Sequence, residues 1–293
     1  MDKYIQLFIQ HLQNERRLSA HTVLSYQNDL LQFQKFLNTQ FEILPHKAQA
    51  EHIRSWMVAL KEKGIANRTI NRKIATLRSF YKFLLITDRI KTNPAAKIIA
   101  PKIEKRLPVF VPENEMKNLF ELIEFEESEK GLRDKLILQL FYFTGMRRSE
   151  LINLQITDID LYNQSIKVLG KRNKERIVPI HPTLNATIRQ YLKQKEINNC
   201  QTPYLFETEK HKPLNPRTVY TIVKKYLNQV TTISKRSPHI IRHTFATHML
   251  SNGADLNSIK EILGHTNLAA TQVYTHNTVE KIKKIHKQAH PRG

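Results

Sequence analysis

The apolar residues of the first hundred positions recur at the spacing of amphipathic helices. In four successive segments, hydrophobic side chains three and four residues apart share one face. These faces contain Ile5, Phe8, Ile9 and Leu12; Val23, Tyr26, Leu30, Phe33 and Leu37; Ile53, Trp56, Met57 and Leu60; and Ile70, Ile74, Leu77, Phe80, Tyr81 and Leu84. Ser19 can cap the second helix, and Gly64 can end the third. The pattern predicts a bundle of four helices.

The rest of the chain combines helical spacing with a short stretch of strand-like alternation. Helical spacing covers residues 113–125 and 132–143. Residues 156–170 and 175–180 instead alternate around turns and a lysine-rich loop, as the strands of a hairpin do. Further helices are expected near Pro182, Pro216, Pro238, Asp255 and Leu268, with a last one over residues 279–288. The predicted fold class is mainly α with a small β-sheet.

A proline-containing segment separates the two regions. Asn93-Pro94 ends the helical part, and residues 101–112 contain three prolines with charged residues between them. Because proline blocks helix continuation and fixes φ, this segment is predicted to be an extended linker. The expected organisation is a helical domain over residues 1–100 and a second domain over residues 113–293.

The net charge indicates a polyanionic partner. The formal charge is +21 at pH 7, and it is spread along the chain. Residues 1–107 hold 19 Lys and Arg against 8 Asp and Glu, a net of +11, and the remainder holds 28 against 18, a net of +10. Two basic domains favour a protein that binds nucleic acid along much of its length. Charge alone leaves open a merely basic soluble protein and an RNA-binding or ribosome-binding protein.

Part of this charge falls on the fourth predicted helix, NRTINRKIATLRSFYKFLL. If its apolar face points inward, four cations are left largely on its outer surface: Arg68, Arg72, Lys73 and Arg78. A solvated helix side has the same pattern. In a domain with a net charge of +11, contact with DNA is the favoured interpretation.

Membrane and secretory classes are disfavoured. No apolar run approaches the roughly 20 residues needed to span a bilayer. Polar residues are distributed throughout the first 17 positions, which contain no small-residue cleavage site, unlike a secretory signal. The single cysteine, Cys200, excludes an intramolecular disulfide. A cytoplasmic protein is expected.

Two segments carry candidate phosphate-binding cations. In FYFTGMRRSEL, Gly145 separates two helices, and the fork of Arg147 can bind two phosphate oxygens. Glu150 lies one helical turn further and can hold that guanidinium in place. In the hairpin turn of VLGKRNKERIVPI, Lys171 can deliver a proton to a leaving oxygen, and Lys174 in the same loop is its rival.

The remaining candidates lie toward the end of the chain. Ser237-Pro238 predicts a helix start that places His239 in the first turn and Arg242 one turn later, a suitable site for a phosphate. His239 and His243 also have the spacing of metal ligands, but Arg242 would repel a cation, so no metal is predicted. His265 follows a predicted helix end, and nine residues later Tyr274 is a candidate nucleophile. A lone tyrosine is ordinarily a packed aromatic.

Taken together, these segments closely resemble the tyrosine recombinases of the Xer group, which resolve chromosome dimers. The resemblance extends over nearly the whole chain. It rests on RTINRKIATLRSFYKFL, KRLPVFVPENEM, TGMRRSEL, GKRNKER, HIIRHTFATHML, EILGH, TQVYTH and the closing HPRG. It implies a four-helix, SAM-like core-binding domain and a C-terminal catalytic domain that together form a C-shaped clamp around DNA.

The resemblance also implies a mechanism and a set of roles. Tyr274 attacks the scissile phosphate and forms a 3′-phosphotyrosyl link with a free 5′-hydroxyl. The implied supporting roles are charge stabilisation by Arg147, Arg242 and His265, protonation of the 5′-oxygen by Lys171, acceptance of the tyrosine proton by His239, and orientation of Arg147 by Glu150. The link conserves energy, so neither ATP nor a metal nor another cofactor is implied.

The implied partners are double-stranded DNA with a dif-like site and other recombinase subunits. Four protomers, as a homotetramer or with a paralogous Xer subunit, exchange strands through a Holliday junction, and residues 279–288 dock on a neighbour. An activating FtsK-like DNA translocase is left open. One alternative is a phage or transposon integrase, although no arm-binding region fits before Tyr4. A non-catalytic, architectural DNA-binding protein is the alternative from another class.

Overall fold

The chain divides into two compact units, Met1–Arg106 and Leu107–Gly293. The computed structural model describes residues 2–103, 109–170, 174–197, 202–208, 210–264 and 289. Most of the described residues are helical, and the only strands among them belong to one three-stranded sheet. The predicted class, mainly α with a small sheet, is confirmed.

The N-terminal unit contains the four predicted helices. Their bounds are α1 Lys3–Asn14, α2 Ala20–Phe41, α3 Ala50–Glu62 and α4 Asn67–Ile86, with a 3₁₀ turn at Pro45–Lys47 between α2 and α3. Ser19 caps α2 by accepting a hydrogen bond from the backbone N–H of Thr22. The apolar faces meet in one core, in which Phe33, Leu77 and Phe80 are fully buried.

One cation of α4 lies inside this unit rather than on its surface. Lys73 is 4% exposed, and its Nζ donates to Asp29 Oδ1 at 2.9 Å and to Gln32 Oε1 at 2.6 Å. The ammonium also lies 5.6 Å from the ring centroid of Trp56. The predicted surface position of Lys73 was therefore wrong. Helical spacing could not reveal the reason, which is a buried carboxylate on α2 that faces this point of α4.

The other three cations of α4 are exposed, as predicted. Arg72 forms an ion pair with Asp29, and its side chain is nevertheless 47% exposed. Arg78 donates from Nη2 to the carbonyl oxygen of Ile98 at 2.6 Å. Arg68 lies exposed in the first turn. The outer side of α4 thus presents three guanidinium groups, two of which are held by contacts within the unit.

The C-terminal unit packs helices around a buried central helix. Its helices are α5 Glu113–Glu121, α6 Glu129–Thr144, α7 Arg148–Ile152, α8 Pro182–Ile197, α9 Pro216–Val230, α10 Pro238–Ser251 and α11 Leu256–Leu263. The strands β1 Ile159–Asp160, β2 Ser165–Leu169 and β3 Glu175–Pro179 form an antiparallel sheet in the order β1-β2-β3. Helix α6 is buried through its last turns and contacts α8 and α10.

The predicted helix starts at Pro182, Pro216, Pro238 and Asp255 are confirmed within one residue. Helix α5 ends at Glu121, four residues before the predicted end at position 125. The helices expected from Leu268 and over residues 279–288 lie outside the described residues.

Gly145 sets the direction of the chain between α6 and α7. Its φ is +59°, in the left-handed region that favours glycine. A Cβ at this position would lie 2.5 Å from the ring of Phe245 and 2.7 Å from Leu263 Cδ2. The tight turn therefore lies directly against α10 and α11, where the candidate site is found.

Replacing Asp29 with alanine should lower the free energy of unfolding of the N-terminal unit by about 3–5 kcal/mol, because Lys73 would keep a buried charge without its carboxylate. Urea unfolding followed by the fluorescence of Trp56, the single tryptophan, reports on this unit. The double variant Asp29→Ala/Lys73→Met removes both charges and should regain much of the loss. Equal stability of wild type and Asp29→Ala would contradict the buried pair.

Candidate active site

Arg147 lies at the break between α6 and α7 and is held by Glu150. The Arg147 backbone N–H donates to Glu150 Oε2 at 2.7 Å, and its Nη1 donates to Glu150 Oε1 at 2.7 Å. The predicted contact between these two residues is therefore present. The carboxylate side chain is 3% exposed and that of Arg147 is 26% exposed, so the guanidinium remains accessible from one side.

A second arginine, which the sequence reasoning missed, binds the same carboxylate. Arg176 on β3 donates from Nη1 to Glu150 Oε1 at 3.0 Å and from Nη2 to Glu150 Oε2 at 2.7 Å. Its side chain is 4% exposed. The sequence did contain a signal, because Arg176 occupies the same inward face of the strand as Val178. A cation at an inward position needs a buried anion, and Glu150 supplies it.

Arg242 comes to the cluster from α10. It is 9% exposed, and it donates from Nη1 to the carbonyl oxygen of Gly145 and from Nη2 to that of Leu263 at 2.7 Å. The predicted helix start at Pro238 is what places Arg242 one turn inside α10. In the sequence, only the family resemblance placed Arg147 and Arg242 in one site. In the structure, Arg147 follows the turn at Gly145 and Arg242 donates to its carbonyl oxygen.

The end of α11 binds all three arginines. Three guanidinium groups donate to three consecutive carbonyl oxygens, which a helix leaves without intrahelical partners. The pairs are Arg176 Nε with Ile262 O at 2.6 Å, Arg242 Nη2 with Leu263 O at 2.7 Å, and Arg147 Nη2 with Gly264 O at 3.1 Å. The partial negative charge of a helix C-terminus favours these contacts.

The cluster carries excess positive charge. Burial would raise the pKa of Glu150, but its hydrogen bonds to Arg176 and Arg147 and the charge of Arg176 outweigh burial and hold the pKa at about 2. Burial and the neighbouring charge of Arg147 lower the pKa of Arg242 to about 10, which leaves it protonated at neutral pH. Three guanidinium groups and one carboxylate give a net charge of about +2, which suits a phosphodiester.

Two further predicted residues lie in the described part of the unit. His239 is exposed in the first turn of α10, three residues before Arg242. Lys174 is exposed at the base of the β2–β3 hairpin, where its carbonyl oxygen accepts a hydrogen bond from the backbone N–H of Gly170 at 2.8 Å. His239 therefore shares the helix of Arg242, and Lys174 closes the hairpin whose strand carries Arg176.

Three of the predicted catalytic residues lie outside the described residues: Lys171, His265 and Tyr274. The residues that precede Lys171 and His265 are Gly170 and Gly264, and both lie at the arginine cluster. A Cβ on Gly170 would lie 3.8 Å from Glu150 Oε1 and 3.8 Å from Arg176 Nη1. The carbonyl oxygen of Gly264 is bound by Arg147. The described chain thus ends beside the arginine cluster immediately before Lys171 and again immediately before His265.

His248 is a packing residue. It is 2% exposed, its Nε2 lies 2.9 Å from the carbonyl oxygen of Val111, and its Nδ1 lies 3.1 Å from the hydroxyl of Tyr142. Burial lowers its pKa. Across the described ranges, no three His, Cys, Asp or Glu side chains are grouped so that they could hold a metal ion. Within the same ranges, no helix has the length and apolarity needed to cross a membrane.

The chain is similar to known DNA recombinases. Residues 110–281 match the phage integrase family, and residues 5–86 match the N-terminal SAM-like domain of phage integrases. The tyrosine recombinase XerC of Staphylococcus carnosus is 40% identical over 295 residues, with 100% of this chain and 99% of that protein covered. The tyrosine recombinase XerC of Chlorobaculum parvum is 37% identical over 318 residues, with 99% of this chain and 94% of that protein covered.

The fold is also that of a solved recombinase complex. The structure is the XerH site-specific recombinase bound to difH substrate in a pre-cleavage complex. Its TM-score with this chain is 0.71 at 21% sequence identity, and the match covers 96% of this chain and 84% of that one.

Replacing Glu150 with glutamine should remove part of the acid sensitivity of folding. Because the folded-state pKa of Glu150 lies at about 2, below its ordinary 4.5, the carboxylate stabilises the fold above pH 4.5 and loses this contribution as the pH falls toward 2. The difference in free energy of unfolding between wild type and Glu150→Gln should therefore be largest at neutral pH and shrink through that range. Urea unfolding at a series of pH values, followed by circular dichroism, measures it. A difference that stays constant with pH would contradict the ion pairing of Glu150.

Proposed function

Because this chain belongs to the phage integrase family, we propose that it acts as a site-specific tyrosine recombinase of the Xer type. It is a DNA strand-exchange enzyme that cuts and rejoins DNA through a covalent tyrosine intermediate. Its proposed task is to resolve chromosome or plasmid dimers at a dif-like site, in the cytoplasm, before cell division. The family membership agrees with the resemblance found in the motifs.

The arginine cluster around Glu150 is the observation that carries this proposal. A guanidinium has five N–H donors, and the described contacts use two of these in Arg147 and two in Arg242. Donors of both arginines therefore remain for the non-bridging oxygens of a phosphodiester. Since their other contacts are already made, the guanidinium groups need little reorganisation when a phosphate arrives.

The proposed reaction consists of two transesterifications. The Tyr274 oxygen attacks the scissile phosphorus, the bond from phosphorus to the 5′-oxygen breaks, and a 3′-phosphotyrosyl ester forms. Lys171 gives its proton to the departing 5′-oxygen, and His239 accepts the proton from the tyrosine. The 5′-hydroxyl of a partner strand then attacks the ester, which restores the phosphodiester and releases Tyr274.

In this scheme the charged residues have separate roles. Arg147, Arg242 and His265 stabilise the negative charge that grows on the non-bridging oxygens. Glu150 does not touch the phosphate and instead orients Arg147. Each ester exchange conserves the energy of the bond that is broken, so the reaction requires no ATP and no cofactor.

The proposed DNA contacts come from both units. Arg68, Arg72 and Arg78 on α4 and Lys174 on the hairpin are exposed cations that can bind backbone phosphates. Lys73 is not among them, because its ammonium is enclosed with Asp29. Arg72 and Arg78 are partly held by contacts within the unit, so Arg68 is the cleanest position for a test.

The proposed assembly is a tetramer that joins two DNA sites. The named relatives favour an XerC-type subunit, and the partner is a second copy or a paralogous Xer subunit. Residues 279–288 would dock on a neighbouring protomer, and an FtsK-like DNA translocase would activate the complex. A purely architectural DNA-binding protein is disfavoured, because it has no use for a buried carboxylate that is shared by one buried arginine and one accessible arginine.

Tyr274→Phe should abolish formation of a covalent protein–DNA adduct, because it removes the attacking oxygen. The site can be recovered by trapping adducts on genomic DNA and sequencing them, and a nicked suicide duplex is then built on it. Denaturing gel electrophoresis measures the adduct. Tyr162→Phe, which changes a side chain that is 92% exposed in a turn, is the matched control and should react like wild type. An adduct from Tyr274→Phe, or none from wild type, would reject the proposed reaction.

Arg68→Ala should weaken binding to DNA and reduce the slope of log K against log salt by about one, since one phosphate contact is lost. Fluorescence anisotropy with a labelled duplex over a salt series measures both quantities. Arg89→Ala removes an exposed arginine beyond the opposite end of α4 and should change the slope less. Unchanged affinity for Arg68→Ala at every salt concentration would remove α4 from the proposed DNA-binding surface.

A further inference from the structure

We infer that Arg176 is a positioning residue for the strand-exchange reaction, acting on Arg147 through the carboxylate of Glu150. The inference rests on the proposed function, and it assigns a task to a side chain that touches no reacting atom. It starts from one geometric fact: Glu150 accepts four described hydrogen bonds, two from Arg176 and two from Arg147.

The first consequence is that Arg176 fixes the orientation of Glu150. Its two parallel N–H···O contacts, at 3.0 and 2.7 Å, engage both carboxylate oxygens and define the carboxylate plane. Each carboxylate oxygen then has one remaining direction in which it accepts a hydrogen bond, and in both cases the donor belongs to Arg147. Oε2 accepts from the backbone N–H of Arg147, and Oε1 accepts from its Nη1. The position of the Arg147 guanidinium therefore depends on Arg176.

The second consequence concerns charge. A carboxylate that faced Arg147 alone would neutralise it and reduce its attraction for a phosphate. Because Arg176 shares the same carboxylate from a position that is 4% exposed, the pair of arginines keeps a net positive charge, and Arg147 is the accessible member. Arg176 thus keeps positive charge available where the phosphate binds.

The third consequence links two segments that carry proposed catalytic residues. Arg176 lies on β3 opposite Val168, on the hairpin that contains Lys171, and its Nε donates to Ile262 O at the end of α11. Gly264, the residue before His265, packs on it: a Cβ there would lie 3.2 Å from Arg176 Cδ and 3.3 Å from Nη1. One side chain therefore connects the hairpin, Glu150 and the chain leading to His265.

A purely stabilising ion pair is the competing explanation. Buried ion pairs often contribute little net stability relative to apolar residues of similar size. A stabilising role would also leave no reason for the same carboxylate to bind Arg147. The two explanations differ in a measurable way. Only a positioning role predicts that the rate lost on replacing Arg176 depends on the charge of the scissile phosphate.

The test compares wild type with Arg176→Lys, which keeps the charge but cannot reproduce the planar fork. The substrates are two nicked suicide duplexes that contain the site recovered from trapped adducts. One has the normal scissile phosphodiester, and the other has a neutral methylphosphonate in its place. The two diastereomers of the methylphosphonate are assayed separately. On the phosphodiester, Arg176→Lys should form the phosphotyrosyl adduct about 10–100-fold more slowly. This is the size of the loss when a residue that orients a metal ligand is replaced in a metalloenzyme. On the methylphosphonate, which demands no charge stabilisation, the two rates should agree within about threefold.

Arg133→Lys is the matched control. Its guanidinium also binds a buried carboxylate of the same unit, that of Asp134, with 2.8 Å from Nη2 to Oδ1, but it lies outside the arginine cluster. It should react like wild type on both substrates. An equal loss for Arg176→Lys on the two substrates would identify a merely structural residue, and no loss on either would remove the inference.

A crystal structure of Arg176→Lys separates this inference from the proposed function. A displaced Arg147 guanidinium, or a Glu150 carboxylate rotated fully onto it, would support positioning even if wild-type protein formed no adduct. An unchanged Glu150–Arg147 contact in the variant would overturn the inference, whatever the wild-type activity. Absence of adduct in the wild type alone would reject the recombinase reaction and leave the structural result to decide about Arg176.

Discussion

The carboxylate of Glu150, shared between two arginines, is the interaction on which the site depends. Arg147 comes from the turn after α6, and Arg176 comes from a strand. A buried carboxylate is stable only when its charge is compensated and its oxygens are hydrogen-bonded. The two guanidinium groups meet both requirements, and in doing so they join the helical part of the unit to its sheet. The excess positive charge that remains is what a phosphodiester needs.

Around this contact, backbone groups do much of the positioning. The end of α11 offers three carbonyl oxygens in succession, and each accepts from a different arginine. Gly145 allows the close approach, since a Cβ there would collide with Phe245. Rigid backbone acceptors hold the guanidinium groups with little loss of side-chain entropy on binding a phosphate. The proposed chemistry therefore requires little rearrangement of side chains within the described cluster.

The N-terminal unit follows the same rule for a different purpose. Asp29 is buried on α2 and compensates Lys73 inside the bundle, while Arg72 binds it from the surface. In both units, then, one buried carboxylate orders two cations, of which one is enclosed and the other is accessible. The accessible cation faces solvent with part of its position already determined, which lowers the entropic cost of the proposed contact with a DNA phosphate.

The sequence by itself determined the elements and the types of the site residues. Apolar spacing located α1–α4 because helix faces follow a period of 3.6, and the prolines and Ser19 marked helix starts through local backbone chemistry. The motifs identified Arg147, Arg242 and the family, since phosphate chemistry restricts the residue types. Local pattern could not decide which anion compensates a cation inside the fold.

Tertiary structure alone placed Lys73 beside Asp29 and Arg176 beside Glu150, partners 44 and 26 residues apart in the chain. The reason is physical: the position of a charge is decided by a compensating charge, and that partner can lie anywhere along the sequence.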